Sequence, residues 1–186
     1  MFSLYLHVPF CKQKCAYCAF YSQGGTGEEK ARYVQGLEQA VRRYGAEYQR
    51  PLDTLYIGGG TPAMAGAEGL ATLVRAAREA FELNPGAEVT VELNPESTAP
   101  ALLNTLKGAG VNRLSLGVQS LDDGELSLLG RLHSRERALE ALTACFEEGF
   151  TNVSADVMFG LPTQTEETFG KTLDTLLSYP ITHLSA

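Results

Sequence analysis

Three of the four cysteines in this 186-residue chain fall in one short stretch, at Cys11, Cys15 and Cys18. The stretch reads His7-Val8-Pro9-Phe10-Cys11-Lys12-Gln13-Lys14-Cys15-Ala16-Tyr17-Cys18, a C-x3-C-x2-C spacing. A disulfide framework would spread its cysteines to staple distant segments, and a reducing compartment would not keep one oxidised. Thiolates are soft, strongly donating ligands, suited to zinc or to the iron of an iron–sulfur cluster. A structural zinc site takes four protein ligands, and the local count stops at three. His7 belongs to the strand ahead of the motif, and Cys145 sits in a helical pattern beside Leu142 and Phe146 that marks a core position. Three ligands leave one iron of a cubane open, and an open iron can bind a second molecule. A zinc module with a recruited fourth ligand is the alternative reading of the same cysteines.

Further along, polar groups interrupt segments that are otherwise apolar. Glu92 lies in Val91-Glu92-Leu93, Gln119 follows Leu116-Gly117-Val118, and Asp156 lies in Ser154-Ala155-Asp156-Val157. An unpaired carboxylate buried in such a run is costly, although a salt bridge could explain any one of them. Gly58-Gly59-Gly60-Thr61-Pro62 either makes a turn or lets backbone carbonyls approach a ligand with no Cβ in the way. Tyr5 alternates with Leu4 and Leu6, the pattern of an aromatic filling an interior. Arg131 reads by itself as a solvated surface arginine, and Arg42-Arg43 as a solvated helix face. His133 is expected in a loop or at a helix start, and His7 as a strand histidine satisfied by a backbone carbonyl.

These residues must be held by regular elements. Strands are expected at Leu4–Val8, Thr54–Ile57, Glu88–Leu93, Arg113–Gly117, Asn152–Met158 and Thr182–Ala186. Most are near-continuous apolar runs, as for parallel strands buried on both faces. Helices are expected at Glu28–Tyr48, Gly66–Phe81, Pro100–Lys107, Ser134–Glu148 and Glu166–Leu177, the last capped by Thr165. Strand–helix alternation of this kind gives right-handed βαβ units around a parallel sheet. Six strands fall short of a complete eight-unit barrel, so the expected fold is α/β, a partial, open TIM-like barrel of about six units. A flat doubly wound sheet is the alternative. Glu92, Gln119 and Asp156 fall near the C-terminal halves of their strands, the end where parallel barrels build active sites.

Apolar residues make up 44% and charged residues 20% of the chain, an ordinary globular composition. The formal charge of −7 argues against a nucleic-acid-binding module, which needs a basic surface. No apolar run reaches the roughly 18 residues of a transmembrane helix. Met1–Phe10 lacks the basic start and small-residue cleavage site of a signal peptide, so the expected location is the cytoplasm. The final strand has nothing predicted to cover it. The chain therefore reads as one domain over 1–186, the N-terminal part of a longer protein.

The C-x3-C-x2-C motif after the first strand, with Tyr17 before its third cysteine, resembles the radical S-adenosylmethionine (SAM) superfamily. The glycine-rich run after the second strand fits the same resemblance. A narrower resemblance extends over essentially the whole chain. Leu4-Tyr5-Leu6-His7-Val8-Pro9-Phe10-Cys11, Gly58-Gly59-Gly60-Thr61-Pro62, Val91-Glu92-Leu93-Asn94-Pro95, Leu114-Ser115-Leu116-Gly117-Val118-Gln119-Ser120 and Asp156-Val157-Met158-Phe159-Gly160-Leu161-Pro162-Thr163-Gln164-Thr165 occur in this order. Together they resemble the oxygen-independent coproporphyrinogen III oxidases and their HemW heme-chaperone relatives. The oxidases usually carry another cysteine two residues after the third ligand. Here that position is Phe20, the HemW-like state.

This resemblance implies that Cys11, Cys15 and Cys18 hold a 4Fe–4S cluster whose open iron chelates SAM, which reduction cleaves to methionine and a 5′-deoxyadenosyl radical. It further implies SAM contacts from Tyr5, Tyr17, Gly60, Thr61, Glu92, Gln119, Arg131 and Asp156. Gly60 and Thr61 would meet the methionine amino group, and Glu92, Gln119 and Asp156 the nucleoside. Arg131 would grip the methionine carboxylate in a bidentate fork. The implied partners are heme or a porphyrin, a heme-acceptor protein and an electron donor. An oxidase would decarboxylate coproporphyrinogen III, whereas a chaperone would deliver heme with the SAM site retained. The porphyrin or heme pocket is expected to need a further C-terminal part, so the chain alone is expected to assemble a cluster without carrying the whole activity.

Overall fold

The computed structural model describes the whole chain, Met1–Ala186. Strands β1 (Ser3–Val8), β2 (Leu52–Gly59), β3 (Leu83–Leu93), β4 (Arg113–Gln119), β5 (Val153–Val157) and β6 (His183–Ser185) form one sheet. Helices α1 (Gly27–Tyr48), α2 (Ala67–Ala80), α3 (Pro100–Ala109), α4 (Asp123–Leu129), α5 (Arg135–Glu147) and α6 (Glu166–Leu177) connect them. The spatial order is β1-β2-β3-β4-β5-β6, and every neighbouring pair is parallel. A doubly wound sheet reverses strand order at a switch point. None occurs, so the flat alternative is set aside. The helices α1, α2 and α3 pack side by side, and α3 meets α5. β1 and β6 stay unpaired with each other, and the barrel remains open.

The helix starts follow local chemistry. Thr26 and Glu29 form a reciprocal capping box at α1, with Oγ1 of Thr26 accepting from the Glu29 amide at 3.2 Å and Glu29 accepting from the Thr26 amide at 2.7 Å. Thr165 caps α6 as expected, accepting from the Thr168 amide at 3.1 Å. The sequence reading passed over α4, whose seven residues are too few to show a helical period. Its ends are nonetheless explicit: Asp122 accepts from the Glu125 amide at 3.0 Å, and Gly130 closes the helix at φ 70°. Short 3-10 turns at Pro62–Ala65 and Pro95–Ser97 follow β2 and β3.

One strand expectation needs correcting. The strands are not apolar on both faces. Leu55, Ile57, Val89, Val91, Leu114, Leu116, Val153 and Ala155 are buried in the main core with Leu73, Leu103, Leu106 and Leu142 from the helices. The intervening residues, pointing to the other face, are Tyr56, Thr90, Glu92, Ser115, Ser154 and Asp156. They line up across the sheet, with Tyr56 beside Thr90, Glu92 beside Ser115 and Ser115 beside Ser154. Complete barrels fill that interior with branched apolar side chains. This one keeps it polar, which suits a ligand rather than a core.

Candidate functional site

The residues with chemical potential converge at the C-terminal ends of the strands. The cysteine loop leaves β1 and is pinned at its base, where the Gln23 amide donates to Pro9 O at 2.7 Å and the Cys11 amide to Gln23 O at 3.0 Å. Across the mouth, the Ala16 amide donates to Leu129 O at 3.0 Å, which ties the loop to the end of α4. The loop after β2 is held to the same base, with Gly60 donating to Val8 O at 2.9 Å and Thr61 to Phe10 O at 2.7 Å. Gly60 has no room for a side chain. A Cβ there would lie 2.8 Å from Phe10 O and 2.9 Å from Cys11 Sγ.

The result is a cleft of about 490 Å³. It brings together Cys11, Cys15, Cys18, Tyr17, Gly60, Thr61, Glu92, Gln119, Arg131 and Asp156. Tyr5 does not line this cleft. It lies lower on β1, 53% exposed, stacked on Tyr56 at 5.9 Å with its hydroxyl 3.1 Å from His7 Nδ1.

All three cysteines are free and half-buried. No three His, Cys, Asp or Glu side chains converge closely enough to hold a single ion. The zinc alternative also lacks a fourth ligand. His7 spends its other ring nitrogen on Tyr21 O at 3.1 Å, the backbone partner expected of it, and Cys145 is fully buried in α5. Thiolates of a cubane each take a different iron and need not meet at one point, so this donor set fits a cluster. Two sulfurs have donors nearby: Thr61 Oγ1 lies 3.7 Å from Cys11 Sγ, and Arg131 Nη1 lies 3.6 Å from Cys15 Sγ.

Arg131 is far from a solvated surface arginine. Nη2 donates to Asn94 Oδ1 and to Gly117 O, both at 2.8 Å. Nη1 lies 3.4 Å from the Tyr17 hydroxyl as well as near Cys15. The two-pronged fork expected for a carboxylate is therefore already engaged with protein acceptors. Nε remains, buried and without any partner. A buried guanidinium N–H left unpaired is expensive, and an incoming anion would satisfy it.

The interrupting polar residues have partners of their own. Glu92 accepts from the Tyr56 hydroxyl at 2.6 Å and the Gly59 amide at 3.1 Å, and no cation touches it. Burial, and then the hydrogen bond to Glu92, push the Tyr56 phenol well above its ordinary value. Asp156 accepts only long contacts from Ser115 Oγ, at 3.3 and 3.4 Å. Burial first, and the Glu92 charge second, raise its carboxyl above the usual range. Gln119 adopts φ 68° where the register between β4 and β5 slips. A non-glycine residue in that region is strained. Burial also raises the Tyr17 phenol, against the opposing Arg131 charge.

Sequence reading missed several lining residues: Asn94, Glu96, Ser97 and Ser115. Asn94 and Glu96 lie in the Asn-Pro turn after β3; Asn94 closes the Val91–Pro95 motif, but nothing in the motif gave it a role of its own. His133 is buried, with Nδ1 3.3 Å from Glu96 and Nε2 3.1 Å from Val118 O. Burial alone would raise the Glu96 carboxyl, but the His133 hydrogen bond, its own backbone amide and the Arg131 charge outweigh it and leave it low. No helix is long and apolar enough to cross a membrane.

Comparison with known proteins bears on the family and the fold. The HemW heme chaperone of Mycobacterium tuberculosis is 39% identical over 100% of this chain and 48% of its own length. The HemW heme chaperone of Bacillus subtilis is 37% identical over 100% of this chain and 49% of its own. The chain thus spans about half the length of the curated relatives it matches. Among solved structures, the Escherichia coli coproporphyrinogen III oxidase HemN, described as a radical SAM enzyme, superposes with TM-score 0.88 at 31% identity, over 99% of this chain and 44% of that one. The radical SAM family model matches residues 5–176, and with the cysteine loop, the open parallel barrel and the cleft between them in place, the chain belongs to the radical SAM superfamily.

Proposed function

We propose that this chain is the cluster- and SAM-binding core of a HemW-like heme chaperone acting in the cytoplasm. The superfamily implies a 4Fe–4S cluster and SAM. Cys11, Cys15 and Cys18 would hold the cluster, which together with SAM supplies one-electron chemistry. The observation that carries the reading is the cleft itself, with three free thiols at one wall and at another Arg131, whose buried Nε has no protein partner. Nε offers a charge-assisted hydrogen bond to a carboxylate. Glu92 and Asp156 have acceptor capacity left for the hydroxyls of a ribose, and Gln119 can both donate and accept. Free, half-exposed thiols suit a reducing compartment.

Phe20 favours delivery over decarboxylation. It is 68% exposed at the cleft rim, at the position where the oxidases usually carry a further cysteine. The ligand to be delivered is heme or a related porphyrin, passed to an acceptor protein, with an electron donor reducing the cluster. The test is anaerobic reconstitution, followed by iron analysis, SAM titration and incubation with coproporphyrinogen III and a reductant. About four irons per chain, SAM binding and no protoporphyrinogen IX are expected. Turnover of coproporphyrinogen III would replace the chaperone reading with the oxidase one.

A further inference from the structure

Between the first and second cysteines runs a continuous hydrogen-bonded path that leaves the cysteine loop and returns to it. Thr61 Oγ1 lies 3.7 Å from Cys11 Sγ. Asn94 Nδ2 donates to that same Oγ1 at 3.0 Å. Asn94 Oδ1 accepts from Arg131 Nη2 at 2.8 Å. Arg131 Nη1 lies 3.6 Å from Cys15 Sγ.

The directions of these bonds follow from the groups themselves. A guanidinium only donates, so the Asn94 atom facing Arg131 must be the amide oxygen. The amide nitrogen then faces Thr61 and can only donate, so Oγ1 must accept. Having accepted, the Thr61 hydroxyl is free to direct its own hydrogen at Cys11 Sγ. At the other end, Asn94 Oδ1 and Gly117 O together fix Nη2 and hence the guanidinium plane, leaving Nη1 toward Cys15. One carboxamide thus sets the orientation of both donors.

We propose that Asn94 is a positioning residue that, through Thr61 and Arg131, presents donors to the Cys11 and Cys15 sulfurs and so raises the reduction potential of the cluster they hold. The inference rests on the cluster reading of the three cysteines. Reduction adds one electron to a cluster already made negative by its thiolates. Hydrogen bonds to the sulfurs stabilise the more negative state, and the potential rises with them. Asn94 itself touches no cysteine; it acts through its two neighbours.

The near-isosteric Asn94→Asp removes the donor to Thr61 and leaves only acceptors. The Thr61 hydroxyl then turns its hydrogen to the carboxylate and away from Cys11. Thr61→Val removes that hydroxyl alone. Both variants, their combination and the parent protein are reconstituted anaerobically, assayed for iron and titrated with a mediator-coupled redox titration read by electron paramagnetic resonance. Asn94→Asp is expected to lower the one-electron reduction equilibrium about tenfold, close to 59 mV, and Thr61→Val about threefold, with iron content unchanged. The double variant is expected to fall short of the product of the two, because part of the Asn94 effect passes through the missing hydroxyl. Unchanged potentials at full iron content overturn the proposal, as does strict additivity, which would reduce Asn94→Asp to its added charge. If Asn94→Asp fails to load iron, Thr61→Val decides alone, and an unshifted potential refutes the arc. A parent protein that takes up no iron overturns the cluster reading itself.

Discussion

Replacing Gly60 with alanine tests the packing between the glycine loop and the cysteine loop. Gly60 is not among the residues of positive φ, so the backbone tolerates alanine and only space opposes it. The new Cβ would lie 2.8 Å from Phe10 O and 2.9 Å from Cys11 Sγ, both well inside the usual carbon contact of about 3.5 Å. Neither neighbour yields easily. Phe10 is 2% exposed, and the bonds Gly60 to Val8 and Thr61 to Phe10, at 2.9 and 2.7 Å, clamp the two loops together. Overpacking of this kind costs about 1–3 kcal/mol. For a domain of this size that lowers Tm by about 2–12 °C. The strain falls on the cysteine that anchors one corner of the site, so iron retained after reconstitution should drop as well. Differential scanning calorimetry of the apo protein and iron analysis of the reconstituted one measure the two effects. A Gly60→Ala protein with parental Tm and full iron would show that the loops are free to part, and the packing argument would be wrong.

The remaining tests concern the thiols and the nucleoside face. Cys11→Ala, Cys15→Ala and Cys18→Ala should each abolish the broad brown absorbance of the reconstituted protein, whereas Cys145→Ala should keep it. In the native apo protein an alkylating reagent should label three thiols and spare Cys145, which burial pushes up to about 12; mass spectrometry of labelled peptides reads this directly. Asp156→Ala and Arg131→Ala should each weaken SAM binding by about 1–3 kcal/mol in calorimetry without changing iron content. The raised carboxyl of Asp156 gives two opposite signs. Folding penalises its charged form, so Asp156→Asn should raise apo stability at neutral pH, an advantage that fades as pH falls through the raised pKa. With the Asp156 carboxylate accepting from the ribose as proposed, parental SAM affinity should weaken over that same window while Asp156→Asn stays flat.

Much of the site was legible because its residues break a local rule. Three cysteines in one loop, a run of glycines after a strand, and carboxylates inside apolar strands each conflict with a purely structural role. The chain accommodates them only where the cleft needs them. The strand faces were misjudged for a related reason. Val89-Thr90-Val91-Glu92-Leu93 and Leu114-Ser115-Leu116-Gly117-Val118 alternate in period two, but serine, threonine and glycine are small enough to pass for interior residues. The polarity of the inner face becomes plain only when register sets Glu92 beside Ser115 and Gly117 beside Asp156.

What escaped the sequence are relations between residues far apart in the chain. Arg131 looks like a surface residue until the fold carries it across the cleft to Asn94, 37 positions away, and to Cys15, 116 positions away. Asn94 broke no local rule at all, since an asparagine before a proline is an ordinary turn former. The fold places it at the strand end, within hydrogen-bonding distance of Thr61 on the glycine loop and of Arg131 just beyond α4. Tyr5 shows the converse, a residue on the polar face of the sheet whose side-chain partners are Tyr56 and His7. Periodicity assigns a face and motif spacing assigns a loop. Neither fixes which donors the strand ends bring within hydrogen-bonding distance, and that distance decides which sulfurs meet a donor and which guanidinium nitrogen is left without a protein partner.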